Sequence, residues 1–165
     1  MFHDKQLIKM EEMIEKEPLS YEYIRGLIEV RGSFTFSTKT RRLSNGEVKR
    51  SKIPAFIIKM HEKDEALLLR VRNTLDLPNK VYNYQQSTKD GYNRSRKTFL
   101  IVREIGSLKN IIIPLLYNRL IGYKRVQFDE WLEKIRSDSM VPENYDILYR
   151  LHENGYYASN PRFLN

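Results

Sequence analysis

Ile24-Arg25-Gly26-Leu27-Ile28-Glu29-Val30-Arg31-Gly32-Ser33-Phe34 contains a change of period, and that change decides the fold. Just upstream, Leu19, Ser20 and Ile24 read as a helix start. Ser20 serves as N-cap, Glu22 sits in the positively polarised first turn, and Leu19 staples against Ile24. The helix is predicted to run to about Arg31, where Gly32 ends it. From Ser33 to Ser37 polar and apolar residues alternate, which is the period of a half-buried strand. Phe34 and Phe36 therefore face the core, and Ser33, Thr35, Ser37 and Lys39 face outward.

Working outward, Ser44-Asn45-Gly46 is a turn signal, and a second strand from about Glu47 to Met60 closes a long antiparallel hairpin. Its tip carries Lys39, Arg41, Arg42, Lys49, Arg50 and Lys52 against a single acid, Glu47. Asp64 then caps a helix whose Leu67, Leu68, Val71 and Leu75 share one face, ended by Asp76, Pro78 and Asn79. A second hairpin spans Lys80 to Gln86 and Arg96 to Val102, and its loop region collects Lys89, Arg94, Arg96 and Lys97. Helical spacing resumes at Ser107, is interrupted by Pro114, and returns from Tyr123 with Phe128, Trp131, Leu132 and Ile135. A last short helix is predicted from Pro142 to Glu153. Paired strands alternating with helices give an α+β fold with an antiparallel sheet.

Composition excludes several classes of function. A chain of 165 residues fits one domain with its own core. The absence of cysteine removes disulfide frameworks, thiol catalysis and thiolate zinc sites, and suits a reducing compartment. No apolar run approaches a membrane span, and the start MFHDKQLIKMEEMIEKEP has neither a signal-peptide core nor the acid-poor character of a transit peptide. The expected location is soluble and intracellular, either cytoplasmic or organellar. His3, His61 and His152 have no partners at ligand spacing, so no metal site is read from them. Glu11, Glu12, Glu15 and Glu17 form a solvated helical face. Among the eleven tyrosines, Tyr82, Tyr84 and Tyr92 flank the second basic hairpin. The 29 Lys and Arg against 21 Asp and Glu leave a formal charge of +8, which favours a polyanionic partner.

The opening stretch resembles the signature of LAGLIDADG homing endonucleases, in the single-motif, homodimeric form. Pro54-Ala55-Phe56-Ile57-Ile58 with Lys63-Asp64-Glu65 resembles the family's second strand and helix. Ile112-Ile113-Pro114-Leu115, Leu120-Ile121-Gly122-Tyr123-Lys124, and Phe128 with Trp131 resemble its later block. The likeness spans about residues 20 to 137, with 138 to 165 as a C-terminal helical extension. It implies an αββαββα core whose saddle-shaped sheet lies along duplex DNA, with motif helices packed at a two-fold centre. One motif copy implies a homodimer joined through Ile24, Gly26, Leu27 and Val30, and Gly26 suits close helix approach. On that face Ser33, Thr35, Ser37 and Lys39 are expected to meet nucleic acid, with Thr35, Ser37 and Lys39 placed for base edges. Arg41, Arg42, Arg50 and Lys52 are placed for phosphates, with Lys49, Lys89, Arg94, Arg96 and Lys97 adding positive charge.

The departures from the family pattern bear on catalysis. The motif's eighth residue, an acid that holds the catalytic metal in active members, is Arg31, while the sixth remains an acid, Glu29. A guanidinium cannot ligate a divalent cation but can hold a phosphate bidentately. Aligned on Phe56, Met60 stands where the family carries a water-ordering polar residue. Lys124 matches the family's basic residue near the scissile phosphate, accompanied by Gln127. The expected protein binds double-stranded DNA sequence-specifically, as a homodimer, without an intact nuclease centre and without a cofactor. Two other readings stay open: an active endonuclease that binds Mg2+ through a displaced acid such as Glu29, and an RNA-binding maturase or ribonucleoprotein component.

Overall fold

The computed structural model describes residues 3–9, 17–85 and 96–164. A helical segment, α1 (residues 3–9), precedes α2 (Tyr21–Arg31), β1 (Gly32–Arg42), β2 (Val48–His61), α3 (Glu65–Thr74), β3 (Val81–Tyr84) and β4 (Lys97–Val102). A continuous helical stretch, α4 (residues 105–116), follows, then α5 (Tyr123–Ser137), α6 (Asp146–Glu153) and α7 (Tyr156–Ser159). The four strands form one antiparallel sheet in the order β1-β2-β4-β3. From α2 onward this is the expected α+β plan.

The transition from α2 to β1 is built as its residues dictate. Ser20 Oγ accepts the Tyr23 N–H at 3.1 Å, capping the helix. Gly32 ends it for a steric reason rather than through a left-handed turn. Its φ is −79°, but a Cβ there would lie 2.8 Å from both the Ile28 side chain and the Ile28 carbonyl. The helix and the strand that leaves it are too close for any side chain.

Strand period then sorts residues onto two faces. The ladder pairs Phe34 with Phe56 and Ile58 with Leu100, and these residues, with Phe36, Met60, Val81 and Val102, meet the helices in one apolar cluster. Ile24 and Ile28 of α2, Leu68 and Val71 of α3, Leu115 of α4, and Phe128, Trp131 and Leu132 of α5 complete it. Phe34 is half-buried, with its ring 5.2 Å from Phe128 and 5.4 Å from Trp131. Because β1 is an edge strand, its free backbone needs cover. Helix α5 supplies it: Trp131 Nε1 donates to Thr35 O at 2.9 Å and Lys124 Nζ to Gly32 O at 2.6 Å.

Three local expectations need correction. Asp64 makes no side-chain cap, because a 3-10 turn, Glu62–Asp64, precedes α3, and His61 Nδ1 accepts the Lys63 N–H instead. Pro114 does not interrupt its helix. Residues Leu108–Ile112 form a π turn, and the Asn110 carbonyl, which a prolyl nitrogen four residues on cannot satisfy, accepts Arg162 Nη1 at 2.7 Å. The Lys109 carbonyl likewise accepts the Tyr157 hydroxyl at 2.9 Å. The predicted helix from Pro142 begins as a 3-10 turn, Glu143–Tyr145, before α6. No helix among the described residues is long and apolar enough to cross a membrane.

Candidate nucleic-acid interface

All the helices that contribute to the apolar cluster meet the sheet through the Phe56 face, which leaves the opposite face open. The register places Ser33, Thr35, Ser37, Lys39 and Arg41 of β1 there. Beside them lie Lys49, Ile53, Ala55, Ile57, Lys59 and His61 of β2, Phe99 and Lys97 of β4, and Tyr82 and Tyr84 of β3. This open antiparallel surface carries cations at its ends and small or apolar residues at its middle. Tyr84 is spent on packing, stacked on Phe99 at 4.4 Å with the rings 9° apart. Tyr82 stays exposed, and Tyr92 lies outside the described residues.

The structure divides the cations that sequence proximity had grouped. Arg42, Arg50 and Lys52 pair with Val48, Thr40 and Thr38, which puts them on the helix-bearing face. Lys52 is also occupied: its Nζ lies 2.8 Å from Asp138 Oδ2, and its backbone N–H bonds the Met140 carbonyl at 2.9 Å. The Lys52 ammonium, and then the Met140 N–H, hold the Asp138 carboxyl below its usual range. Lys52 thus anchors the hairpin to the segment after α5. Arg96 is exposed at the start of β4, while Lys89 and Arg94 lie outside the described residues. Two cations that the sequence reading missed are Lys59, exposed beside Ile57 on the open face, and Arg103, just past β4. The same period-2 count that selects Thr35 selects Lys59.

At the motif's C-terminal end the charges are arranged unlike a metal site. Arg31 is exposed in the last turn of α2, where its charge complements the helix's negative end. The Glu29 carboxylate accepts the Ile121 backbone N–H, and its Oε2 accepts the Gly122 N–H at 3.3 Å. Gly122 is the N-cap of α5 and that helix has no side-chain cap; from 93 residues away Glu29 instead holds the N–H of Gly122 and that of Ile121 before it, which ties the loop entering α5 to the motif helix. The Lys124 ammonium occupies the Gly32 carbonyl, which leaves a guanidinium and an ammonium at the junction. Met60, two residues past Gly32's partner Ile58, is half-buried on the helix-bearing face. Among the described residues, no group of three or more His, Asp or Glu side chains is placed to hold a metal ion.

Glu29→Ala is expected to leave the Ile121 and Gly122 N–H groups without their acceptor and lower stability by about 1 kcal/mol, roughly 3 °C in Tm for a chain of this size. Glu29→Gln retains an acceptor and should lose less. Thermal unfolding followed by circular dichroism measures both, and an unchanged Tm for Glu29→Ala would show the carboxylate to be idle.

The four residues expected at a dimer interface do not share one environment. Ile24 is 0 % exposed and belongs to the chain's own core cluster. Val30 is 74 % exposed, Gly26 is exposed with nothing within 4 Å of where a Cβ would be, and Leu27 is half-buried. Tyr23 and Ile121, the latter 92 % exposed, extend this apolar surface.

Comparison with known proteins places this arrangement. The structure resembles the homing endonuclease I-TnaI with a TM-score of 0.55 at 17 % identity, covering 88 % of this chain and 100 % of that one. It resembles I-LtrWI, a LAGLIDADG homing endonuclease solved bound to target DNA, with a TM-score of 0.54 at 22 % identity, covering 82 % of this chain and 43 % of that one. I-GzeII, solved in complex with its DNA target, gives a TM-score of 0.52 at 20 % identity over 84 % of this chain and 44 % of that one. The chain therefore spans less than half the length of the last two, and at these identities the likeness is one of fold. None of the curated proteins matches. The model of the LAGLIDADG endonuclease family matches residues 24–135, more than half of the chain, and the chain belongs to that family.

Proposed function

We propose that this protein binds double-stranded DNA sequence-specifically on the open face of its sheet, as a homodimer, and does not cut it. The observation that carries the loss of cleavage is the use of Glu29, the one carboxylate in the motif, to hold the N–H groups of Ile121 and Gly122, beside Arg31 and the Lys124–Gly32 contact. Hydrolysis through a divalent ion needs anionic oxygens free to hold that ion against the scissile phosphate. Here the available groups are cationic, and they suit a phosphate held electrostatically. A displaced-acid nuclease would have to take Glu29 off the backbone donors of Ile121 and Gly122 and leave them bare. DNA as the polyanion is supported by family membership, by the open β-face, and by the DNA-bound state of I-LtrWI and I-GzeII.

Selection from random duplexes at low salt, followed by salt titration, tests the binding half of this reading. A symmetric site is expected, with affinity falling about a thousandfold between 50 and 200 mM salt. Failure to enrich any duplex, or stronger enrichment of structured RNA, would contradict it.

A further inference from the structure

We propose that Arg103 reads a guanine in the recognition site, an assignment that rests on the DNA-binding reading above and extends it to one base. Arg103 follows the last residue of β4, and continuing the Phe56–Val102 pairing by one residue sets it level with Ala55 and, across β2, with Thr35. Its side chain is exposed and reaches over the open face, where Nε donates to Ser37 Oγ at 3.1 Å. Its backbone carbonyl accepts the Tyr145 hydroxyl at 3.2 Å, which pins the end of the strand to the segment between α5 and α6. The obvious competing anion, the adjacent Glu104, is taken by Asn79, whose Nδ2 lies 2.9 and 3.2 Å from its two oxygens. Among the described residues no acceptor takes Nη1 or Nη2 of Arg103.

A guanidinium fixed at Nε presents its two terminal nitrogens as a rigid fork, and the acceptor pair that matches a fork in the major groove is guanine O6 and N7. The surroundings favour a base over a phosphate. Arg103 stands beside the two inner strands, among Thr35, Ala55, Ile57 and Ile101, whereas phosphates are reached from the cationic ends of the hairpins. Ser37 becomes a positioning residue, since its hydroxyl oxygen is committed to holding the fork.

The test is duplex selection by the wild-type protein and by Arg103→Lys and Arg103→Ala, with circular dichroism confirming that each variant is folded. The wild type should enrich guanine at a position that Arg103→Ala leaves unspecified, and binding of Arg103→Ala to the wild-type site should weaken about ten- to hundredfold. Arg103→Lys should keep the salt dependence and weaken the guanine preference, because an ammonium lacks the planar fork. Base preferences identical in all three proteins, with affinity falling uniformly and the salt slope of Arg103→Ala reduced by about two, one for each protomer, would identify a phosphate contact and overturn the proposal. A wild type that enriches no duplex overturns the DNA-binding reading, and this assignment with it.

Discussion

Replacing Val30 and Ile121 together by glutamate is expected to yield a folded monomer whose affinity for a symmetric site is about a hundredfold or more below that of the parent. Both side chains are exposed, at 74 % and 92 %, so the substitutions leave the chain's own core untouched. With Tyr23 and Gly26 they form an apolar face beside the motif helix, and four added negative charges across a two-fold axis would oppose its self-association. Loss of the second half-site removes the gain from linked binding, a factor of about 10² to 10⁴. Light scattering and duplex binding measure the two effects. A parent protein that is already monomeric, or a double variant that remains dimeric, would refute this interface.

Arg25→Met should lower stability by about 2–4 kcal/mol, or roughly 10 °C in Tm. Only 7 % of Arg25 is exposed, and it joins three parts of the chain. From the second position of the motif in α2, Nε donates to Leu115 O at 2.7 Å and Nη2 to Phe163 O at 2.6 Å. Burial, and then the nearby Arg119, hold its pKa below the ordinary guanidinium value, yet arginine stays charged and its two carbonyl bonds are charge-assisted. Methionine fills part of the volume and leaves both carbonyls without that donor. Tyr21 packs edge-on against Phe163 at 5.1 Å, so the C-terminal segment should loosen with the loss. Denaturant titration reads the stability, and a loss below about 0.5 kcal/mol would show that water replaces the guanidinium without cost.

Much of this arrangement is legible in local sequence. The capped helix, the glycine at its end and the alternating strand that follows are short-range features, and the fold seats them as their spacing requires. The Asn45-Gly46 turn also follows from chain chemistry, since Gly46 adopts φ +84° there. What escapes local reading is set by contacts distant in sequence. Glu29 looks like a spare catalytic acid until the loop entering α5 brings it the Ile121 and Gly122 N–H groups, the latter from 93 residues away. Pro114 looks like a helix breaker until Arg162 satisfies the carbonyl it strands. Lys49, Arg50 and Lys52 look like one basic patch, yet strand period puts Lys49 on the open face and the other two behind it. Arg103 lies outside both basic hairpins and joins the open face only through the pairing of β4 with β2.

The most direct measurement of the central claim is incubation of the purified protein with its own selected duplex in Mg2+ and in Mn2+, with strand integrity read on a denaturing gel. The expected result is a saturated complex in which both strands remain intact at every metal concentration. Metal-dependent scission at a fixed position within the bound site would contradict it, and would mean that some carboxylate holds a divalent ion against the phosphate despite Arg31, Lys124 and the engagement of Glu29 with the Ile121 and Gly122 N–H groups.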